Sequence, residues 1–185
     1  MSRAAGEPRR RLGVFVGLAE EAALVRRATR AWPAPPLVAL GGGTADAARR
    51  RLPELLDRGP EILLSVGYCG ALTAGLAPGT LVVPDAVVDA AGQRWACEAA
   101  AAKQLREAAQ ALGLRLETGT VLGADMPATT VAAKRHLHLA TDAAAVDLES
   151  HLVAEAAAGA GLPFAEARAV LDDAATGLPP PVVHA

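Results

Sequence analysis

Two periodicities alternate along this chain, and that alternation constrains its fold more than any other feature. Apolar, strand-like runs occur at RLGVFVG (11–17), PLVALGGG (36–43), EILLSVG (61–67), TLVVPDAVV (80–88), LRLETGTVLG (114–123), DAAAVD (142–147) and PFAEARAVL (163–171). Between several of them lie alanine-rich segments of helical spacing: AEEAALVRRATRAW, TADAARRRLPELLDRG, CEAAAAKQLREAAQALG and ESHLVAEAAAGAG. Strands separated by helices of this length pair in parallel, with the helices packed on the sheet faces. The pattern predicts an α/β three-layer sandwich, with a mixed, mostly parallel central sheet flanked by helices. Gly59, Gly113 and Gly161 stand where a glycine closes a helix. The 185 residues suit one domain, read as 11–178, between a flexible basic tail at 1–10 and a C-terminal tail at 179–185.

Charge and patterning exclude several classes. With 18 basic and 20 acidic residues the net charge is −2, which gives no basic footprint for nucleic acid. No apolar run approaches the roughly 20 residues of a membrane span. The early run LGVFVGLA is followed at once by Glu20 and Glu21, as a first strand would be and a signal peptide would not. Cys69 and Cys97 lie far apart, so a reducing cytoplasm is the expected setting. His136, His138 and His151 lack metal-ligand spacing and read as surface or packing residues, and no metal is expected.

The segment AVDLESH (145–151) places two carboxylates two residues apart at a strand-to-helix junction. One reading is local: Asp147 is a good helix cap, and acids in a first turn complement the helix dipole. The other is functional. In open α/β sheets, ligands bind at the carboxyl ends of the strands. Several runs end there in glycine-bearing turns, at Gly17, at Gly41-Gly42-Gly43-Thr44 and at Ser65 to Gly70, and another ends at Asp172-Asp173. Such turns bring a ligand close to backbone N–H groups, and the following helices favour an anion. Taken singly, each is equally an ordinary tight turn.

In order, VGLAEEAALV, GGGTADAA, SVGYCGALTAGLAPGTLVVPDAV, AVDLES and RAVLDDA resemble the purine and uridine phosphorylases and the methylthioadenosine/adenosylhomocysteine nucleosidases. Within that family, AVDLESHLVAEAAAGAGLPFAEAR is most similar to hopanoid-associated phosphorylases. The resemblance implies cleavage of the N-glycosidic bond of a purine nucleoside or adenosylated compound, adenosylhopane among them, through an oxocarbenium-like sugar. Glu149 would accept hydrogen bonds from the ribose hydroxyls, with Leu148, in place of the family's usual methionine, packed beneath the sugar. Asp172 would protonate the leaving base, with Asp173 as the rival one residue along. Gly67 and Tyr68 would line the substrate, Tyr68 by stacking or by filling the nucleophile pocket. Asp125 and Met126 lie in the loop where relatives contact the base. Tyr68 and Asp125 each also fit plain structural roles, as a loop tyrosine and a turn acid.

The sequence departs from the family at several points. The acid follows Leu171 rather than serine, and Ser65 and Tyr68 stand where bacterial purine phosphorylases hold phosphate with arginine and serine. The water-activating glutamate of the nucleosidases corresponds to Ala22, with Glu21 one residue away. With no evident base to activate water, phosphate is the expected nucleophile and co-substrate, held by Gly17, Gly43 and Thr44. No other cofactor is expected. A nucleosidase using water, or an impaired relative that only binds a nucleoside, are the alternatives, and relatives suggest a homo-oligomer, dimer or hexamer.

Overall fold

The computed structural model describes residues 10–178, so the expected tail at 1–10, all but its last residue, and the expected tail at 179–185 lie outside the described residues. Ten strands form one sheet: β1 (Leu12–Val16), β2 (Leu37–Leu40), β3 (Ile62–Ala71), β4 (Leu81–Val82), β5 (Ala86–Val88), β6 (Arg94–Ala96), β7 (Leu116–Glu117), β8 (Thr120–Gly123), β9 (Ala145–Asp147) and β10 (Phe164–Asp172). Five helices accompany it: α1 (Ala19–Thr29), α2 (Ala45–Leu56), α3 (Ala99–Ala111), α4 (Val131–Thr141) and α5 (Ser150–Gly159). Six of the nine strand pairings are parallel, and β10–β4, β3–β9 and β5–β6 are antiparallel. This is the expected α/β fold with a mixed, mostly parallel sheet.

The layering follows from the alternation of side chains along β1. Val14 and Val16 pack with Ala22 and Val25 of α1. Phe15, between them, points to the opposite face and joins Ala48, Leu52 and Leu55 of α2 and Leu152, Val153, Ala154 and Ala157 of α5. Alanine at the contact positions of α5 lets that helix lie close to the strands, which explains the alanine excess. Gly59, Gly113 and Gly161 have φ of 71°, 67° and 66° beyond α2, α3 and α5, the left-handed geometry a helix-ending glycine supplies without strain.

The fold differs from the sequence reading in five places. Pro84 cannot donate to a ladder, so the run 80–88 divides into β4 and β5. Gly119, at φ 94°, divides 114–123 into β7 and β8. Arg94–Ala96 forms a short strand paired with β5, and VAAKRHLHLAT forms α4, two elements the sequence reading did not assign. Most consequential for the site, SVGYCGA is not a strand ending in a turn. Gly67, Tyr68, Cys69 and Gly70 continue β3, which pairs with β10 along most of its length.

The long β3 organises the site. Its first half pairs with parallel β1, the last described pair being Phe15 with Ser65. Its end pairs with antiparallel β9, Gly70 with Val146 and Ala71 with Ala145. The carboxyl ends of β1 and β9 therefore approach each other along one edge of β3, from opposite directions. Between them the backbone of Val66 to Cys69 is left without a strand partner on that edge.

Candidate active site

Three loops converge on this gap. The Gly17 turn leaves β1, the Leu148-Glu149 junction leaves β9, and Glu21 reaches back from the first turn of α1. Leu18, at the start of α1, has no side-chain acceptor, so Glu21 takes the free amides. Its Oε2 accepts from Gly17 N at 2.9 Å and Leu18 N at 2.8 Å. Its Oε1 accepts at 3.0 Å from Tyr68 N, an amide neither β1 nor β9 reaches. Glu21 is 7% exposed. Ala22, the other candidate from the sequence, is buried with Val14 and Val16 in the core. The geometry puts the first-loop acid at Glu21.

Glu149 precedes α5 yet makes no capping bond. Its carboxyl instead lies against Gly17, where a Cβ would meet Oε1 at 2.6 Å, so a larger residue there would have to displace the carboxyl. Burial pushes the Glu149 carboxyl up to about 7, with Asp147 and Glu21 adding repulsion and Arg168 opposing. The capping role falls to Asp147, whose carboxylate accepts from Ser150 N at 3.1 Å and from Ser150 Oγ. Both readings of AVDLESH thus have an acid to carry them.

Beneath Gly67 lies a residue the sequence reading missed. Arg168 of β10 is 1% exposed. It pairs with Asp147, donates from Nε to Glu166 Oε1 at 2.7 Å, and bonds Ser65 Oγ. A Cβ on Gly67 would meet Arg168 Nη1 at 2.5 Å and Glu21 Oε1 at 2.7 Å, so Gly67 is the floor on which these groups meet. Burial alone would lower the Arg168 pKa, but the carboxylates of Asp147, Glu166 and Glu149 outweigh it and raise it. Burial and Asp147 push the Glu166 carboxyl up to about 8 despite Arg168. Among the described residues, Glu166 Oε2 has no hydrogen-bond partner. A sequence signal existed: Glu166 and Arg168 are charges at alternate positions of an otherwise apolar strand.

Asp172 lies farther along β3. One extra residue on β10, between Val170 opposite Cys69 and Asp172 opposite Gly70, forms a bulge at Leu171, which is 53% exposed. The Asp172 carboxyl lies over Gly70, 3.2 Å from where a Cβ would be. Its partner is Lys134 of α4, another residue the sequence reading missed. Asp173 turns away and binds its own turn, accepting from Ala175 N at 3.0 Å; its hydrogen bonds with Thr176 hold it below the usual carboxylate range. The two neighbouring acids thus have different surroundings. Asp172 lies over Gly70, three strand residues beyond Gly67.

The remaining candidates are less gathered. Tyr68 is 39% exposed between the two acids, and Leu148 is half-buried beside Glu149. Asp125 lies 3.5 Å from His151 Nε2 and 3.9 Å from Arg49, and the adjacent Met126 is 73% exposed. Gly42 and Gly43 have φ of 76° and 73°, and the Thr44 Oγ beside them accepts from Ala47 N at 3.2 Å as the N-cap of α2. The Gly17 amide expected for phosphate is the one bonded to Glu21. Two surface clefts, of about 170 and 400 Å³, lie between α2 and α5 and between β6 and α5; neither is lined by these acids. No helix among the described residues is long and apolar enough to cross a membrane.

Comparison with known structures shows the same fold. The Helicobacter pylori 5′-methylthioadenosine/S-adenosylhomocysteine nucleosidase, in a mutant with 5′-methylthioadenosine in its active site, superposes with a TM-score of 0.82 at 15% identity, over 91% of this chain and 87% of that one. The futalosine hydrolase of Helicobacter pylori gives 0.82 at 16% identity over 90% and 86%. The S-adenosylhomocysteine nucleosidase of Streptococcus pyogenes gives 0.79 at 20% over 90% and 85%. A search of curated proteins gave no match. The family model described as the phosphorylase superfamily matches residues 34–184, most of the length, and the chain belongs to that superfamily.

Proposed function

We propose that this protein is an enzyme that cleaves the N-glycosidic bond of a purine nucleoside or adenosylated compound, with water as the nucleophile. The observation that carries the reading is Glu149. It is an acid at a helix start that caps nothing, pressed against Gly17, beside a buried arginine. A carboxylate held there is suited to accept ribose hydroxyls and to stabilise the positive charge that develops on the sugar. In this reading Asp172, whose carboxyl lies over Gly70, protonates the departing base.

Three observations favour water over the phosphate expected from sequence. The Gly17 amide is bonded to Glu21. Arg168 is already engaged by Asp147, Glu166 and Ser65. Four acids, Glu21, Asp147, Glu149 and Glu166, surround that one arginine, so a phosphate dianion entering there would meet net repulsion. A homo-oligomer, dimer or hexamer, belongs to the same reading.

Product analysis decides the matter. A panel of purine nucleosides, methylthioadenosine and adenosylhopane is incubated with and without phosphate, and free base and sugar are measured by mass spectrometry. Free sugar formed at the same rate without phosphate is expected. Ribose 1-phosphate would overturn the water assignment and restore phosphate. Nucleoside binding without turnover would make the protein a sensor or structural relative.

A further inference from the structure

Lys134 is 1% exposed, the one buried residue of α4. A buried ammonium is tolerated only where its donors are satisfied. All three are: Nζ donates to the Asp172 carboxylate, to the Asp173 carbonyl and to the Thr176 carbonyl, the last at 2.7 Å. The segment after β10 is also fastened to the start of α4, since Leu178 N donates to Thr129 O at 3.0 Å. Two of the three acceptors are backbone, so Lys134 fixes the path of the chain on either side of Asp173. The third is the carboxyl over Gly70. One lysine thus sets both where Asp172 sits and which of its oxygens is occupied.

We propose that Lys134 is a positioning residue for proton delivery. By holding Asp172 Oδ2, it orients the carboxyl so that the other oxygen addresses the leaving base; it does not itself touch substrate. This rests on the reading of Asp172 as the general acid.

The test compares two substrates, a purine nucleoside, whose base needs a proton to leave, and a nitrophenyl riboside, whose leaving group does not. In Lys134→Met, kcat on the nucleoside falls about 10–100-fold, part of the ~10²–10⁴ that a positioned proton donor contributes. KM and turnover of the nitrophenyl riboside stay within about threefold of the parent, as expected when an interaction made only in the transition state is lost. Asp172→Asn combined with Lys134→Met is no slower than Asp172→Asn alone, because both act on one proton. Equal losses on both substrates, or a further loss in the double variant, would mean that Lys134 only braces the chain, and would overturn the proposal. Removing one partner of a buried pair can unfold a protein. If Lys134→Met does not fold, the double variant, which removes both charges, carries the comparison with Asp172→Asn. If Asp172→Asn itself slows both substrates equally, the acid reading fails and the proposal with it.

Discussion

At the scale of single residues, the site is a competition between burial and charge. Glu149 has its carboxyl raised from 4.5 to about 7 because burial penalises the anion more than Arg168 rewards it. It is neutral below that pH and ionised above, and only the ionised form is a strong acceptor for ribose hydroxyls. Activity should therefore rise as pH passes through about 7, an acid limb set by Glu149. Glu149→Gln should lower kcat/KM by roughly 10²–10³, the usual cost of removing one electrostatic stabiliser of a transition state. The residual activity should lack that limb. Steady-state kinetics from pH 5 to 9 check both; near-normal turnover in Glu149→Gln would remove the sugar-clamp role.

At the scale of elements, short capping contacts decide which polar groups are free for chemistry. Thr44 is the N-cap of α2, with Oγ accepting from Ala47 N at 3.2 Å. Thr44→Ala should cost about 1 kcal/mol of stability, as lost caps do. With water as the nucleophile, the same substitution should leave turnover independent of phosphate. A urea titration and a phosphate titration of the rate test the two halves. A phosphate-dependent rate that disappears in Thr44→Ala would return Thr44 to an anion site. The same logic explains Asp147 and Glu21, acids at helix starts that bind backbone amides and leave Glu149 uncommitted.

For the whole molecule, buried acids set the response to pH. Glu149 and Glu166 are raised from 4.5 to about 7 and about 8. The unfolded chain releases these protons near 4.5, whereas the folded chain keeps them until about 7 and 8. Over that interval the native state binds more protons than the unfolded state, so stability falls as pH rises and levels off above it. The melting temperature should be higher at pH 5 than at pH 8, and Glu166→Gln should flatten the slope. A melting temperature that climbs across this range would contradict the burial argument.

The sequence by itself determined the alternation of elements, and through it the layers. Periods of 2 and 3.6 are local properties, so a reader of residues 11–17 or 149–161 needs nothing else to choose strand or helix. It also marked Glu149 and Asp172, because carboxylates at the ends of apolar runs stand out. Only the tertiary structure decided what those carboxylates meet. SVGYCGA reads as a turn locally, since glycines suit turns, and becomes a strand because β10 pairs with it. Lys134 resembles an ordinary helix charge in sequence, and Arg168 shows there only as a charge on an apolar strand; that both are buried appears only in the tertiary structure. Glu21 rather than Ala22 faces the gap because β1 and β9 arrive there from opposite directions and leave the Tyr68 amide open. Burial, pairing and the position of a gap along an edge are relations between segments distant in the chain, and local pattern carries no record of them.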